Sequence, residues 1–236
     1  KLLYYFSKCL TFKLGVFIMI DLTKYRIIDL SHELVPGEQK QNGQYLHGVP
    51  SFNGRTVELK EFEAYNARMH FIHSQTHNGT HVEAPYKYDE NGADIASMPL
   101  ERYMGEAVVC DMDHRAGREV TPNDLINAGI KTNNIVLLRC GLEKEKPYLG
   151  FDALDWLINT KIKAFGSEHV DHSPPNTPFG KNDGDGRLLL AGIPYIDAVT
   201  GLHQITKSRV FFIGLPFKMQ RITASWTRAI VLEEID

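Results

Sequence analysis

Residues 77–87 read HNGTHVEAPYK and place two histidines four positions apart, with a glutamate two positions after the second. Gly79 and the β-branched Thr80 stand between the imidazoles, and both residue types disfavour a helix. Pro85 would end any helix soon afterwards. The stretch therefore predicts a tight turn beside a strand, in which Gly79 lets the backbone fold so that the two imidazoles converge.

The side chains of this turn are the kind that bind metal ions. His77, His81 and Glu83 would supply two neutral imidazoles and one carboxylate, a set that suits Zn²⁺ or Mn²⁺ and leaves positions open for water and substrate. The alternative is a polar surface loop that happens to be rich in histidine. The nearby His73 fits either interpretation.

The chain on both sides of the turn alternates between strand and helix patterns. Alternating apolar and polar residues, or short continuous apolar runs, predict strands at 26–28, 56–64, 67–74, 107–112, 134–139, 162–166, 209–216 and 229–234. Helices are predicted at 121–129, with Thr121 as its cap, and at 147–160. Residues 174–187 hold three prolines and three glycines and predict a mobile surface loop. The order of elements predicts one α/β domain with a mixed β-sheet core and flanking helices.

Composition excludes several classes of partner. The 236 residues fit one large domain, and a formal net charge of −3 indicates neither a nucleic-acid nor an anionic-membrane partner. The three cysteines are widely spaced and form no C-x-x-C pair, so neither a disulfide framework nor a thiolate zinc site is expected. A cytoplasmic location follows as the expectation.

The first eighteen residues need a separate interpretation. They are apolar, but lysines interrupt them too often for a membrane span, and no small-residue cleavage site follows. Met19 opens a more ordinary beginning. We expect residues 1–18 to be a non-native or disordered extension and 19–236 to be the folded domain. The alternative is a degenerate membrane-binding tail.

Four segments together resemble a known family. HNGTHVEAP resembles the H-x-G-T-H-x-D-x-P-x-H signature of the cyclase, or kynurenine formamidase-like (arylformamidase), metal-dependent hydrolases. DLSHEL at 29–34 is similar to the family's opening strand, and GRLLLAGIPYIDAV at 186–199 to its second ligand segment. LPFKMQRITASWTRAIVLEE at 215–234 is similar to its closing strands. The resemblance covers nearly all of 19–236, and it implies a fold of the swivelling β/β/α type and a homodimer or homotetramer.

The resemblance also implies a set of metal ligands. The first motif places them on His77, His81 and Glu83, where the glutamate is one methylene longer than the usual aspartate. The second ligand segment places Asp185 at the position of a histidine and Asp197, twelve residues on, at the position of a glutamate. The richer oxygen donor set implies a shift from zinc towards manganese or magnesium. An ordinary loop residue is the alternative for Asp185, which we expect within the glycine-rich stretch.

The catalytic residues depart most from the family pattern. Lys87 stands where the signature has a histidine that serves as general acid or base, and a lysine with an ordinary pKa of about 10.4 accepts no proton at neutral pH. A nearby metal or burial would lower that pKa, so a catalytic Lys87 and a solvated loop lysine both stay open. Glu83 is a second candidate for proton transfer. His73, or the pair His169 and His172, are further candidates.

The implied activity is metal-assisted hydrolysis of a small-molecule amide, formamide, cyclic amide or lactone. Tyr86 is an aromatic candidate for shaping an aryl-substrate pocket, with an ordinary core position as its alternative. The resemblance further implies that Phe217 and Lys218 face the site. The alternative is a degenerate relative that keeps the fold, and with it a metal or ligand, without turnover. The replacements at Lys87, Asp185 and Asp197 keep that alternative open.

Overall fold

A computed structural model describes residues 21–34 and 57–235 of the chain. Thirteen strands lie within these residues: β1 Tyr25–Asp29, β2 Glu58–Ala64, β3 Ala67–His73, β4 His81–Glu83, β5 Met104–Asp111, β6 Glu119–Val120, β7 Ile135–Arg139, β8 Tyr148–Leu149, β9 Ala164–Glu168, β10 Tyr195–Asp197, β11 Arg209–Ile213, β12 Ala224–Trp226 and β13 Ile230–Glu234. Three α-helices accompany them: α1 Pro122–Asn127, α2 Phe151–Thr160 and α3 Gly184–Leu190. Short 3₁₀ helices cover Leu22–Lys24, Pro85–Lys87, Leu100–Tyr103, Asp113–Arg115 and Leu202–Gln204.

Nine strands form one mixed sheet in the order β1-β13-β11-β5-β7-β9-β10-β4-β12. The central strands β5, β7, β9 and β10 run parallel to one another, and the strands added on either side pair antiparallel. Two smaller sheets pair β2 with β3 and β6 with β8. The prediction of an α/β domain with a mixed sheet and flanking helices is confirmed.

The central strands bury side chains on both faces, as continuous apolar runs require. Along β7, Ile135 and Leu137 belong to one core cluster, whereas Val136 and Leu138 belong to the other. All three α-helices contribute to the second cluster through Leu125, Leu154, Leu157, Leu188 and Leu189. One face of the sheet is therefore the helix face.

The short strand β4 is fixed by pairing on both of its edges. His81 stands opposite Asp197 of β10 and Trp226 of β12, and Glu83 stands opposite Tyr195 and Ala224. Val82 between them is fully buried in the core cluster on the opposite face of the sheet. Because successive side chains of a strand alternate, His81 and Glu83 project to the helix face.

Most predicted elements are present with small shifts at their ends, and one prediction is wrong. The predicted loop 174–187 extends too far, because α3 begins at Gly184, with Asp183 as its N-cap. Asp185 therefore lies in the first turn of a helix and not in a loop. Residues 1–18, for which an extension is predicted, lie outside the described residues. Within the described ranges, no helix is long and apolar enough to cross a membrane.

Candidate metal centre

The turn before β4 has the geometry that its sequence predicts. Gly79 adopts a left-handed conformation with φ of +61°. The buried Thr80 hydroxyl donates to the carbonyl oxygen of Ala198 at 2.7 Å and accepts from the amide of His32 at 2.9 Å. The turn is thereby attached to the segment that follows β10, and it delivers the chain into β4 in one orientation.

His77, His81 and Glu83 converge at the end of this turn. His77 Nδ1 lies 2.6 Å from Glu83 Oε1, and His81 Nε2 lies 3.3 Å from the same oxygen. One donor atom from each residue lies within 4.8 Å of the other two. His81 and Glu83 are buried, while the side chain of His77 keeps 23% of its surface exposed. The structure therefore brings together the three ligands that the first motif predicts.

The outward nitrogen of each imidazole has its own partner. His81 Nδ1 donates to the carbonyl oxygen of Gly79 at 2.7 Å, and His77 Nε2 is hydrogen-bonded to the Thr223 hydroxyl at 2.9 Å. Histidines that bind metal ions are held in this way, because an outer hydrogen bond fixes the ring and leaves the inner nitrogen for the ion. The donor set and its outer contacts fit a divalent metal ion.

A second cluster of donor groups lies beside the first. His172, Asp183 and Asp185 each offer a ligand atom within 4.8 Å of the others, and both aspartates are buried. Asp183 also caps α3, since its oxygens accept the amides of Gly180 at 2.9 Å and Gly186 at 2.8 Å. Burial and a hydrogen bond with Asp183 raise the pKa of Asp185 to about 8, against the opposing charge of Lys87.

Lys87 joins the two clusters. Its Nζ donates to Glu83 Oε2 at 2.8 Å, to Glu83 Oε1 at 3.1 Å and to Asp185 Oδ2 at 2.5 Å. Burial alone would lower the pKa of this ammonium, but the two carboxylates outweigh burial and hold that pKa above its usual value. Lys87 is thus an ion-paired group and not a solvated loop lysine, and the contacts favour its protonated form.

The same contacts act on Glu83. Burial would raise the pKa of its carboxyl group, but hydrogen bonds from His77 and His81 and the charge of Lys87 hold that pKa well below its usual value. The carboxylate is therefore charged, which is the form that binds a cation.

Asp197, the last of the predicted ligands, and two of the three histidines predicted as alternative bases lie outside the two clusters. Asp197 Oδ2 is 3.6 Å from His81 Nε2, and Asp197 Oδ1 accepts the amide of Ala198 at 2.7 Å. Asp197 therefore lies beside the first cluster but is not one of its three members. His73 is exposed at the end of β3, outside both donor clusters of the described residues. His169 lies apart from them as well, with its Nε2 on the carbonyl oxygen of Lys144 at 2.7 Å, whereas His172 belongs to the second cluster.

The predicted substrate contacts lie on the nearby surface. Tyr86 immediately precedes Lys87 and lines a surface cleft together with Lys218 and Arg221. Phe217 is 65% exposed, and its amide donates to the Ser225 hydroxyl at 3.0 Å. Their role in substrate binding stays a prediction.

Sequence reasoning missed two residues of the centre. Thr223 is separated from His77 by 146 positions, and nothing local marks it as a partner. Asp183 had a usable signal, since an aspartate before a run of apolar residues is a typical helix N-cap.

A mixed sheet that carries a histidine–carboxylate centre on a strand paired at both edges is the architecture of a metal-binding α/β domain. The Cyclase family model matches residues 28–172, which is more than half of the chain, and the protein belongs to this family. The predicted family membership is confirmed.

Individual relatives agree with that assignment. A kynurenine formamidase of Erythrobacter litoralis (strain HTCC2594) is 28% identical over 215 residues, which cover 88% of this chain and 94% of the relative. Isatin hydrolase A from Labrenzia aggregata has a similar fold, with a TM-score of 0.71 at 23% identity, and the match covers 90% of this chain and 95% of that one. A potential metal-dependent hydrolase with cyclase activity matches with a TM-score of 0.63 at 19% identity, over 90% and 100% of the two chains.

Proposed function

We propose that the protein is a metal-dependent hydrolase that cleaves a carbon–nitrogen bond of a small-molecule amide, formamide or cyclic amide. The observation that carries the proposal is the convergence of His77, His81 and Glu83, with the outward nitrogen of each imidazole held by a separate partner. The similarity to a kynurenine formamidase and to isatin hydrolase A supports a carbon–nitrogen substrate.

Each residue of the centre has a definite task in this proposal. A divalent ion bound there would supply activated water and polarise the substrate carbonyl. His77, His81 and Glu83 hold the ion, while Thr223 and the Gly79 carbonyl keep the two rings in place. Lys87 is protonated between the carboxyl groups of Glu83 and Asp185, so it offsets the charge of Glu83 and can donate a hydrogen bond but not accept a proton.

We assign substrate contact to the surface beside the centre. Tyr86 supplies an aromatic face, and Lys218 and Arg221 supply two positive charges against the one negative charge of Asp94 in the same cleft. Such a cleft suits a planar aryl substrate that carries an anionic group, because the ring can stack while the charge is paired. Phe217, which precedes Lys218, would extend the apolar side of this surface.

The finer properties are part of the proposal. We expect Zn²⁺ or Mn²⁺, because imidazole and carboxylate donors suit both ions. We expect a homodimer or homotetramer, a cytoplasmic location and no nucleic-acid partner. Elemental analysis of the purified protein would identify the ion, and light scattering coupled to size-exclusion chromatography would give the subunit number.

The decisive experiment measures hydrolysis with the metal as the variable. The purified protein, stripped with a chelator and reloaded with Zn²⁺ or Mn²⁺, is assayed against N-formylkynurenine, isatin and a small lactone. We expect activity towards at least one carbon–nitrogen substrate that depends on added metal and is lost in His81→Ala. His203→Ala is the matched control, because His203 is an exposed histidine in the short helix Leu202–Gln204.

Two results would contradict the proposal. One is the absence of turnover with every ion on every substrate, which is the behaviour of a binding protein that has lost catalysis. The other is turnover that His81→Ala leaves at the level of the His203→Ala control.

A further inference from the structure

The two donor clusters of the centre share one cation. Glu83 belongs to the first cluster and Asp185 to the second, and the Lys87 ammonium contacts a carboxylate of each. Its distances of 2.8 Å to Glu83 Oε2 and 2.5 Å to Asp185 Oδ2 are those of strong charge-assisted hydrogen bonds. The ammonium therefore lies between the Glu83 carboxylate and the buried Asp185 carboxyl group, at the position where the clusters meet.

Lys87 is held at this position from several sides. Its amide donates to the carbonyl oxygen of Ala84 at 3.0 Å, at the start of the short helix Pro85–Lys87. The ammonium lies 5.0 Å from the centre of the Tyr88 ring, whose hydroxyl is 3.3 Å from Asp185 Oδ2. Only 24% of the Lys87 side chain is exposed. The charge is thus a fixed part of the centre.

A divalent ion and this ammonium would compete for the same oxygens. Metal–oxygen distances to Asp and Glu ligands are about 2.0–2.2 Å. An ion bound by Asp185 Oδ2 would therefore lie within a few ångströms of Lys87 Nζ, which contacts that oxygen at 2.5 Å. In the first cluster an ion can use Glu83 Oε1, which the two imidazoles contact and which lies further from Nζ, at 3.1 Å, than Glu83 Oε2. The repulsion between two such cations in a buried site is strong, because the interior screens charge weakly.

We propose that the Lys87 ammonium takes the place of a second metal ion, so that each chain binds one divalent ion, on His77, His81 and Glu83, and none on His172, Asp183 and Asp185. The inference rests on the proposed function in one respect, namely that the first cluster binds a metal. Lys87 acts as a positioning residue, since it sets how many ions the centre holds and offsets the charge of Glu83.

The experiment counts metal ions per chain. Wild-type protein and Lys87→Met are stripped with a chelator, dialysed against Mn²⁺ and analysed by mass spectrometry of the metal together with amino-acid analysis. We expect one ion per chain in the wild type and two in Lys87→Met, a doubling that returns to one in the double variant Lys87→Met/Asp185→Asn. Lys144→Met is the matched control, because it removes a lysine paired with Asp113 at 2.8 Å outside the centre, and it should keep one ion.

A spectroscopic measurement on the same samples tests the inference independently. Mn²⁺ in the wild type should give the six-line electron paramagnetic resonance spectrum of an isolated ion, and Lys87→Met should give the broadened signal of two coupled ions. The wild-type spectrum stands on its own if Lys87→Met fails to fold. In that case Lys87→Gln, which keeps a hydrogen-bond donor without the charge, replaces it.

The outcomes separate this inference from the proposed function. Two ions in the wild type, or one ion in both the wild type and a folded Lys87 variant, would overturn the inference and leave the hydrolase proposal standing. No ion in the wild type would overturn both. One ion rising to two would support the inference even if no substrate were found.

Discussion

Two buried glutamates of the same sheet are held in opposite ways. Glu168, at the end of β9, accepts the backbone amides of Gly201 at 2.8 Å and Leu202 at 2.7 Å, together with the Thr200 hydroxyl. Within the described part of the chain, every hydrogen bond to the Glu83 carboxylate comes from another side chain: an imidazole or an ammonium. Backbone amides are part of the fold, whereas side chains can turn away and let a cation in. The comparison separates a structural carboxylate from one available for binding.

The largest expected effect tests that separation directly. Replacing Glu83 with Gln removes the only negative charge of the first cluster, so we expect the metal affinity to fall by about 1000-fold or more, roughly 4 kcal/mol. Isothermal titration with Mn²⁺ measures it. Glu168→Gln is the matched control and should bind the ion as tightly as the wild type. Equal losses in the two variants would contradict the distinction.

A smaller effect is expected one contact further out. Thr223→Val removes the hydroxyl that holds His77 Nε2 and keeps the shape of the side chain, so the ring loses its fixed orientation. Outer contacts of this kind are worth about 10–100-fold in metal affinity. Thr200→Val is the control, since it removes the equivalent hydroxyl from Glu168. The same titration should give an unchanged affinity for the control, and a loss in both variants would count against a specific role for Thr223.

Glu168 should matter for the stability of the fold. Glu168→Gln weakens charge-assisted bonds to two backbone amides, so we expect the free energy of unfolding to fall by about 2 kcal/mol. Urea denaturation of metal-free protein measures it, with Glu143→Gln, a glutamate on the surface before Lys144, as the control. If Glu168→Gln were as stable as Glu143→Gln, the negative charge of Glu168 would not contribute to stability, and the prediction would be wrong.

The smallest effect is a pH dependence at Glu233, which is also buried and, like Glu168, accepts backbone amides. Burial would raise its pKa, but the amides of Lys207 and Thr206, together with the Arg26 guanidinium and the Thr206 hydroxyl, outweigh burial and lower that pKa from its usual 4.5. A lowered pKa in the folded state means that the stabilisation is complete above the usual value and is lost as the pH falls through the folded value. We expect the stability difference between wild type and Glu233→Gln to be about 1 kcal/mol near pH 7 and to shrink towards pH 3.

Urea titrations of the metal-free protein at several pH values would measure this difference. A constant difference from pH 7 to pH 3 would contradict the assignment to Glu233.

Local sequence determined more of the fold than of the centre. The central strands were predictable because their apolar runs are continuous, and the turn at Gly79 because its residues leave few other conformations. The three-residue strands β10 and β12 were not, since pairing with β4 and not propensity makes them strands. Helix α3 was missed because glycines mask its first turn, although Asp183 marks its cap.

The grouping of His77, His81 and Glu83 was predictable because they lie within seven residues of one another, and the structure brings them together. The role of Lys87 was not predictable. Its partner Asp185 lies 98 positions away, and the sequence alone offered only a choice between a lowered pKa and a solvated side chain. Contacts of that separation depend on the packing of α3 against the short helix Pro85–Lys87, which no local pattern encodes.

The pairing of β4 on both edges has a consequence for how this chain can change in length. Side chains alternate along a strand, so one residue inserted or deleted between His81 and Glu83 would put these two side chains on opposite faces of the sheet and separate them. Insertions before His77 or after Lys87 carry no such cost, because turns and loops absorb extra residues. Natural variation in length should therefore collect around this strand and never within it, and the same boundary applies to grafting the centre onto another sheet.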